Sequence, residues 1–109
     1  MRVVFAAKVA ELEQEAKKKV TIEGMDILIV RYQDSFYAVD NTCPHMGGSL
    51  YDGNLEDRYV ACPKHGSVFD VVSGEVHQPG KILMFKVNPK PLRKFPVKVD
   101  GDNLMIEME

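Results

Sequence analysis

Residues 43–65 read CPHMGGSLYDGNLEDRYVACPKH. At each end of this stretch a thiol is paired with an imidazole: Cys43-Pro44-His45 first, then Cys62-Pro63-Lys64-His65. The pattern is C-x-H-x16-C-x2-H, drawn from a chain with only 2 cysteines and 3 histidines. Such doubled pairing by chance is rare, on the order of one in a thousand. Working outward, residues 40–54 are mostly Asp, Asn, Thr, Cys, Pro, His, Gly and Ser with little hydrophobic period, and a long loop inside a compact domain is usually functional. Pro44 and Pro63 stiffen the two elements by fixing φ, while Gly47, Gly48 and Gly66 let the backbone pass close to a bound group.

The rest of the composition narrows the options. At 109 residues the chain is long enough for one domain, with a modest core to which a bound metal group would add stability. Lys plus Arg number 14 against 16 Asp plus Glu, a formal charge of -2, which argues against nucleic-acid or polybasic membrane binding. No stretch approaches the roughly 18 apolar residues of a membrane helix. The start, MRVVFAAKVAELEQE, is cut short at Lys8 and Glu11 and does not read as a secretory signal. Two cysteines exclude a disulfide scaffold and leave three fates open: inert, bridged or metal-bound.

Most other segments read as short strands. Val20–Glu23 and Ile27–Tyr32 flank a turn at Gly24-Met25-Asp26, and Gln33-Asp34-Ser35 turns into Phe36–Val39. Tyr59-Val60-Ala61 enters the second cysteine element and Ser67–Val72 leaves it, with a hairpin turn at Ser73-Gly74. Phe95–Val99 and Asn103–Ile106 flank Asp100-Gly101-Asp102. Residues 10–19 allow a short helix, with Val9, Leu12 and Ala16 on one face, and are also compatible with an extended loop. Many short strands with Gly/Asp turns predict an all-β sandwich or barrel. Phe36, Tyr37, Phe69 and Phe95 are expected in its core, His77 at the surface, and Met84, Phe85 and Val87 as an exposed apolar strip.

The chemistry of the two elements fits a 2Fe–2S cluster, with two thiolates on one iron and two imidazoles on the other. Each loop then supplies one ligand to each iron, so the loops face one another across the cluster. The sequence resembles the Rieske family, and in particular its small soluble ferredoxins. The resemblance runs from Tyr37-Ala38-Val39 through CPHMGGSLYDG and CPKHGSVFDVVSGEV to PLRKFPVKVDGDNLMI, most of the chain. It implies that Cys43 and Cys62 bind the inner iron and that His45 and His65 bind the outer one near the tip. It also implies a Rieske-like antiparallel β-sandwich or barrel base, residues 1–39 and 92–109, with an inserted two-loop cluster-binding subdomain at 40–80. Residues 81–91 are atypical: HQPGKILMFKVNPK fills a longer gap than related ferredoxins have, and Lys81–Val87 is either an extra strand or a partner-contacting segment.

Two departures from the high-potential members bear on tuning. Those members carry two further cysteines in the loops, forming a disulfide; here Lys64 stands between Pro63 and His65, and Met46 to Leu50 holds no cysteine. Ser67 is retained, but the tyrosine that follows it in those members is Phe69, which has no hydroxyl to donate to a cluster sulfur. Fewer such donors lower the potential, so we expect the low end of the Rieske range, roughly -150 to about +50 mV.

Weighed against the cluster are a zinc site, for which a one-residue C-x-H gap is a poor fit, and inert buried thiols. By resemblance the protein is a one-electron carrier rather than an enzyme. It would take electrons from a flavin-dependent NAD(P)H reductase and pass them to an oxygenase or similar acceptor, as a cytoplasmic monomer or weak oligomer. The runner-up is an accessory or regulatory subunit of a larger oxidoreductase, and behind it stands a zinc-stabilised interaction module. Lys17–Lys19 and Lys64 read as ordinary solvated charges unless a partner is acidic.

Overall fold

The structure is a computed structural model that describes residues 2–44, 47–64, 66–82, 85–87 and 90–108, the side chains of 80–82 and 85–87 excepted. In chain order the elements are β1 (Arg2–Lys8), α1 (Val9–Gln14), β2 (Lys17–Ile22), β3 (Met25–Tyr32), β4 (Ser35–Asp40), a 3-10 turn (Leu50–Asp52), β5 (Leu55–Glu56), β6 (Tyr59–Ala61), β7 (Val68–Asp70), β8 (Val76–Gln78), β9 (Gly80–Ile82), β10 (Phe85–Val87), β11 (Lys94–Phe95), β12 (Val97–Asp100) and β13 (Asn103–Met108). Among the described residues they form three larger sheets, ordered β1-β13-β12, β11-β4-β3-β2 and β5-β6-β7-β8, with β9 and β10 as a separate two-stranded pair. Every pairing is antiparallel, as the all-β expectation required.

The key to the architecture is β3. Ile27, Leu28, Ile29 and Val30 are all fully buried, so this strand is covered on both faces. Ile27 and Ile29 point into a first core with Leu12, Ile22, Ala38, Phe95, Leu104 and Ile106. Leu28 and Val30 point the other way, into a second core with Val39, Leu50, Val60, Phe69, Val71 and Leu92. Alternation of side chains along one strand thus serves two cores at once. Each such side chain contributes about 1.5–3 kcal/mol when fully buried, so β3 is the beam on which both halves rest. The second core also contains Cys43 and Cys62.

The turns are tighter than the sequence suggested. β2 and β3 pair from Lys17↔Val30 to Ile22↔Met25, leaving only Glu23 and Gly24 in the turn, at φ 52° and 80°. β3 and β4 close on Gln33 and Asp34, and β12 and β13 on Gly101 and Asp102. Two-residue turns with left-handed residues match the twist of the strands they join, which two-residue turns of type I or II would not. The expected turn residues Met25, Asp26, Ser35 and Asp100 are therefore strand residues.

Three further expectations change. The helix spans Val9–Gln14 alone, and Lys17–Lys19 belong to β2, because pairing with β3 outweighs the weak helical period. Arg2–Lys8, not anticipated as a strand, pairs with β13. Among the aromatic residues expected in the core, Phe69 and Phe95 are buried, whereas Phe36 and Tyr37 are half-buried. Within Lys81–Val87, expected as an extra strand or a partner-contacting segment, Lys81 and Ile82 belong to β9 and Phe85–Val87 is β10, paired Lys81↔Lys86. For the expected apolar strip, Met84 lies outside the described residues, as do the side chains of Phe85 and Val87.

Candidate metal centre

The two cysteine loops are built alike. In the first, the Cys43 N–H donates to the Gly48 carbonyl at 2.8 Å and the Gly47 N–H donates back to the Cys43 carbonyl at 2.9 Å. In the second, the Cys62 N–H donates to the Ser67 carbonyl at 2.7 Å and the Gly66 N–H to the Cys62 carbonyl at 3.1 Å. The offsets from cysteine are the same, and both closing glycines have left-handed φ, 70° at Gly47 and 77° at Gly66. A side chain at either position would strain that turn. Sequence spacing alone suggested paired elements; the shared hydrogen-bond closure is what the fold adds.

Each loop grades from buried to exposed. Cys43 and Cys62 are 2% and 3% exposed, and neither is bridged. Pro44, Gly47, Pro63, Lys64 and Gly66 are exposed. His45 and His65 lie outside the described residues. The loops also meet. A Cβ placed on Gly48 would stand 3.1 Å from Cys62 Sγ and 2.9 Å from Lys64 Cγ, so the first loop lies against the thiol of the second. Two buried, unbridged thiols approached by opposed loops form a donor set suited to a soft metal centre. The residues present fit an iron–sulfur group at this place.

The support beneath the loops comes from residues whose role no local motif revealed. Asn41 is buried; its Oδ1 accepts the Tyr51 N–H, its Nδ2 reaches Ser49 Oγ, and its carbonyl accepts the Leu50 N–H. The return of the first loop is thereby tied to its own start. Lys17, read from sequence as a solvated charge, donates its ammonium to the carbonyls of Tyr51 and Gly53 and sits over the Tyr51 ring. Gly53 leaves no room for a side chain, since a Cβ there would fall 1.7 Å from the Ala61 carbonyl oxygen, one residue before Cys62. The exit of the first loop is thus pressed against the entry to the second.

On the second loop's strands, Arg58 binds Asp70, with Nη2 at 2.8 Å and Nε at 3.0 Å from its carboxylate. Burial works to raise the Asp70 pKa, but the Arg58 bond and the N–H donors of Val72 and Ser73 outweigh it and hold the group below the ordinary carboxylate value. His77 is exposed, as expected, and stacks on Tyr59 at 4.1 Å between ring centroids. Gly74 packs on the carbonyl of Leu92, whose N–H returns to the Gly74 carbonyl at 2.6 Å. A cavity of about 520 Å³ between β4 and β11–β12 includes neither cysteine in its lining. A smaller one of about 370 Å³ borders the first loop at Thr42, Cys43, Pro44 and Gly47.

Comparison with known proteins agrees with this geometry. Residues 2–86 match the family described as the Rieske [2Fe-2S] domain. The chain is 34% identical over 89 residues to the ferredoxin component of the naphthalene 1,2-dioxygenase system of Pseudomonas aeruginosa, covering 82% of this chain and 79% of that one. The ferredoxin of carbazole 1,9a-dioxygenase from Nocardioides aromaticivorans IC177 superposes with a TM-score of 0.83 at 26% identity, over 100% of both chains. A second structure, a complex of reduced oxygenase and oxidized ferredoxin in carbazole 1,9a-dioxygenase, contains a chain that superposes at 0.80 and 25% identity, over 98% of this chain and 97% of that one. The chain belongs to the Rieske [2Fe-2S] family.

Proposed function

We propose that this Rieske-family chain carries single electrons to an oxygenase, with Cys43 and Cys62 ligating one iron of its 2Fe–2S cluster and His45 and His65 the other. The observation that carries this reading is the matched pair of opposed thiol loops, each buried at its cysteine and exposed at its tip. When bound, a Rieske cluster supplies a one-electron couple whose potential the protein sets.

The chain's own residues do the rest. Cys43 and Cys62 anchor the inner end in the second core, where Leu28, Val60 and Phe69 exclude water. In the sequence His45 and His65 follow their cysteines by two and three residues, and their imidazole edges are the proposed route by which electrons reach a partner. Phe69 is fully buried and brings no hydroxyl to the site, which favours the low-potential range of about -150 to +50 mV.

The donor is a flavin-dependent NAD(P)H reductase and the acceptor a terminal oxygenase, a reading supported by the dioxygenase ferredoxins to which the chain is similar. Contacts with both are small and transient, below about 1,200 Å². The protein catalyses nothing alone and works in the cytoplasm, where thiols stay reduced. Among the described residues no helix is long and apolar enough to cross a membrane.

The test is metal and sulfide analysis of the purified protein, with a redox titration. Two irons and two acid-labile sulfides per chain, and a midpoint in the stated range, are expected. One zinc without sulfide overturns the carrier reading, and a midpoint above about +200 mV overturns the tuning argument.

A further inference from the structure

The charge of this chain is unevenly distributed. Lys81, Lys86, Lys90, Arg93, Lys94 and Lys98 fall within residues 76–99, and all 16 acidic residues lie outside that stretch. The fold brings the middle of this stretch to the metal centre. Lys90, Pro91, Leu92 and Arg93 form one wall of the roughly 370 Å³ cavity whose opposite wall is Thr42, Cys43, Pro44 and Gly47. The wall is fixed at both sides: the Arg93 carbonyl accepts the Asp40 N–H at 2.9 Å, and the Leu92 N–H donates to Gly74. Lys90 and Arg93 are exposed, with the Arg93 guanidinium lying over the Phe95 ring at 5.1 Å. Lys64 adds a third cation, since its stem passes within 2.9 Å of the Cβ position at Gly48, the residue after Gly47. One carboxylate, Asp40, also borders the cavity; its Oδ1 accepts the Thr42 N–H at 2.9 Å.

We infer that Lys64, Lys90 and Arg93 form a positive docking rim beside the first cysteine loop, which receives an acidic face of the electron-transfer partner. The inference rests on the carrier reading and specifies the chemistry of its partner. A chain of net charge -2 repels an acidic surface at long range. Within about a Debye length, 8–10 Å at physiological salt, the local cations dominate. Attraction is thus confined to orientations that bring the loop tips to the partner, which favours productive encounters over all others.

Small redox probes read the local charge directly. Oxidation of the reduced protein is followed by stopped flow with two one-electron acceptors, anionic iron(III)–EDTA, which leaves as iron(II)–EDTA, and cationic hexaammineruthenium(III), which leaves as the ruthenium(II) complex. Raising ionic strength from about 0.01 to 0.2 M should slow the anionic reaction about three- to tenfold and accelerate the cationic one. Lys90→Glu should flatten or reverse both dependences. Lys98→Glu, an equal change in net charge on the outer sheet at β12, should leave their signs unchanged. The opposite signs in the unaltered protein, following its net charge, overturn the inference.

A second measurement needs no electron transfer. Hexacyanochromate(III) added to the protein as isolated should broaden the amide NMR signals of Lys90, Arg93 and Gly47 before others; broadening centred elsewhere overturns the inference. Failure of the carrier reading is distinct from either, since it shows as the absence of a reducible centre.

Discussion

The two cores flanking β3 differ in what they are for. The first, between the central sheet, α1 and the β1-β13-β12 sheet, is built from apolar side chains and holds neither cysteine. The second includes the two cysteines and opens at the loop tips. Adjacent residues of one strand feed each: Ile29 the first, Leu28 the second. The difference teaches that the base supplies stability without touching the centre, whereas the second core supplies stability and holds the metal donors in the same packing. Substitutions that separate those two duties therefore test the division.

The largest effect should come from truncating β3 on either face. Ile29→Ala and Leu28→Ala should each cost about 2–5 kcal/mol, read from urea unfolding of the metal-free protein. Only Leu28→Ala should also speed iron release from the folded protein. Equal loss of iron from both variants would erase the distinction between the cores. Next in size is Gly53→Ala, whose Cβ must displace the Ala61 carbonyl. We expect a cost of about 1–3 kcal/mol with a changed EPR line shape, because the displaced residue precedes Cys62.

Lys17→Met keeps the stem and removes the donor to Tyr51 and Gly53. A loss of about 1.5 kcal/mol is expected, with faster iron release and partial recovery in Lys17→Arg. Unchanged iron release in Lys17→Met would reduce this contact to ordinary surface chemistry.

The smallest effect concerns acid. Because Asp70 titrates below its ordinary value in the folded protein, its contribution is complete above the unfolded carboxylate pKa, about 4. It is lost as pH falls through the lowered folded value. Asp70→Asn should therefore make the fall of the urea midpoint shallower below about pH 4 and leave its pH dependence above about pH 5 unchanged. An unaltered acid limb would show that the Arg58 pair does not couple to folding.

How much of this was legible in the sequence depended on whether the signal was local. The paired thiol–imidazole elements and the Gly/Asp-rich turns were readable because spacing and turn chemistry are local properties, and so was the all-β class. The turn positions were each misread at an edge, Met25 and Asp26 in the first, Ser35 and Asp100 in the others, since only the strand register decides where a two-residue turn closes. β1 was missed because Val3-Val4-Phe5-Ala6-Ala7 has no alternation of polarity and becomes a strand by pairing with β13, about 100 residues away. Lys17 is the sharpest case at the site. In sequence it is one of three consecutive lysines, and only the packing of β2 beside the first loop's exit gives its ammonium two carbonyl partners. Gly53 is likewise unremarkable until the Ala61 carbonyl is beside it.

The central claim is that each loop gives the cluster one thiolate and one imidazole. The most direct test is pulsed EPR of the reduced protein carrying 15N-labelled histidine. Couplings from two directly bound nitrogens are predicted, lost in part by His45→Ser or His65→Ser and retained in His77→Gln. A reduced centre without strongly coupled histidine nitrogen would contradict the account.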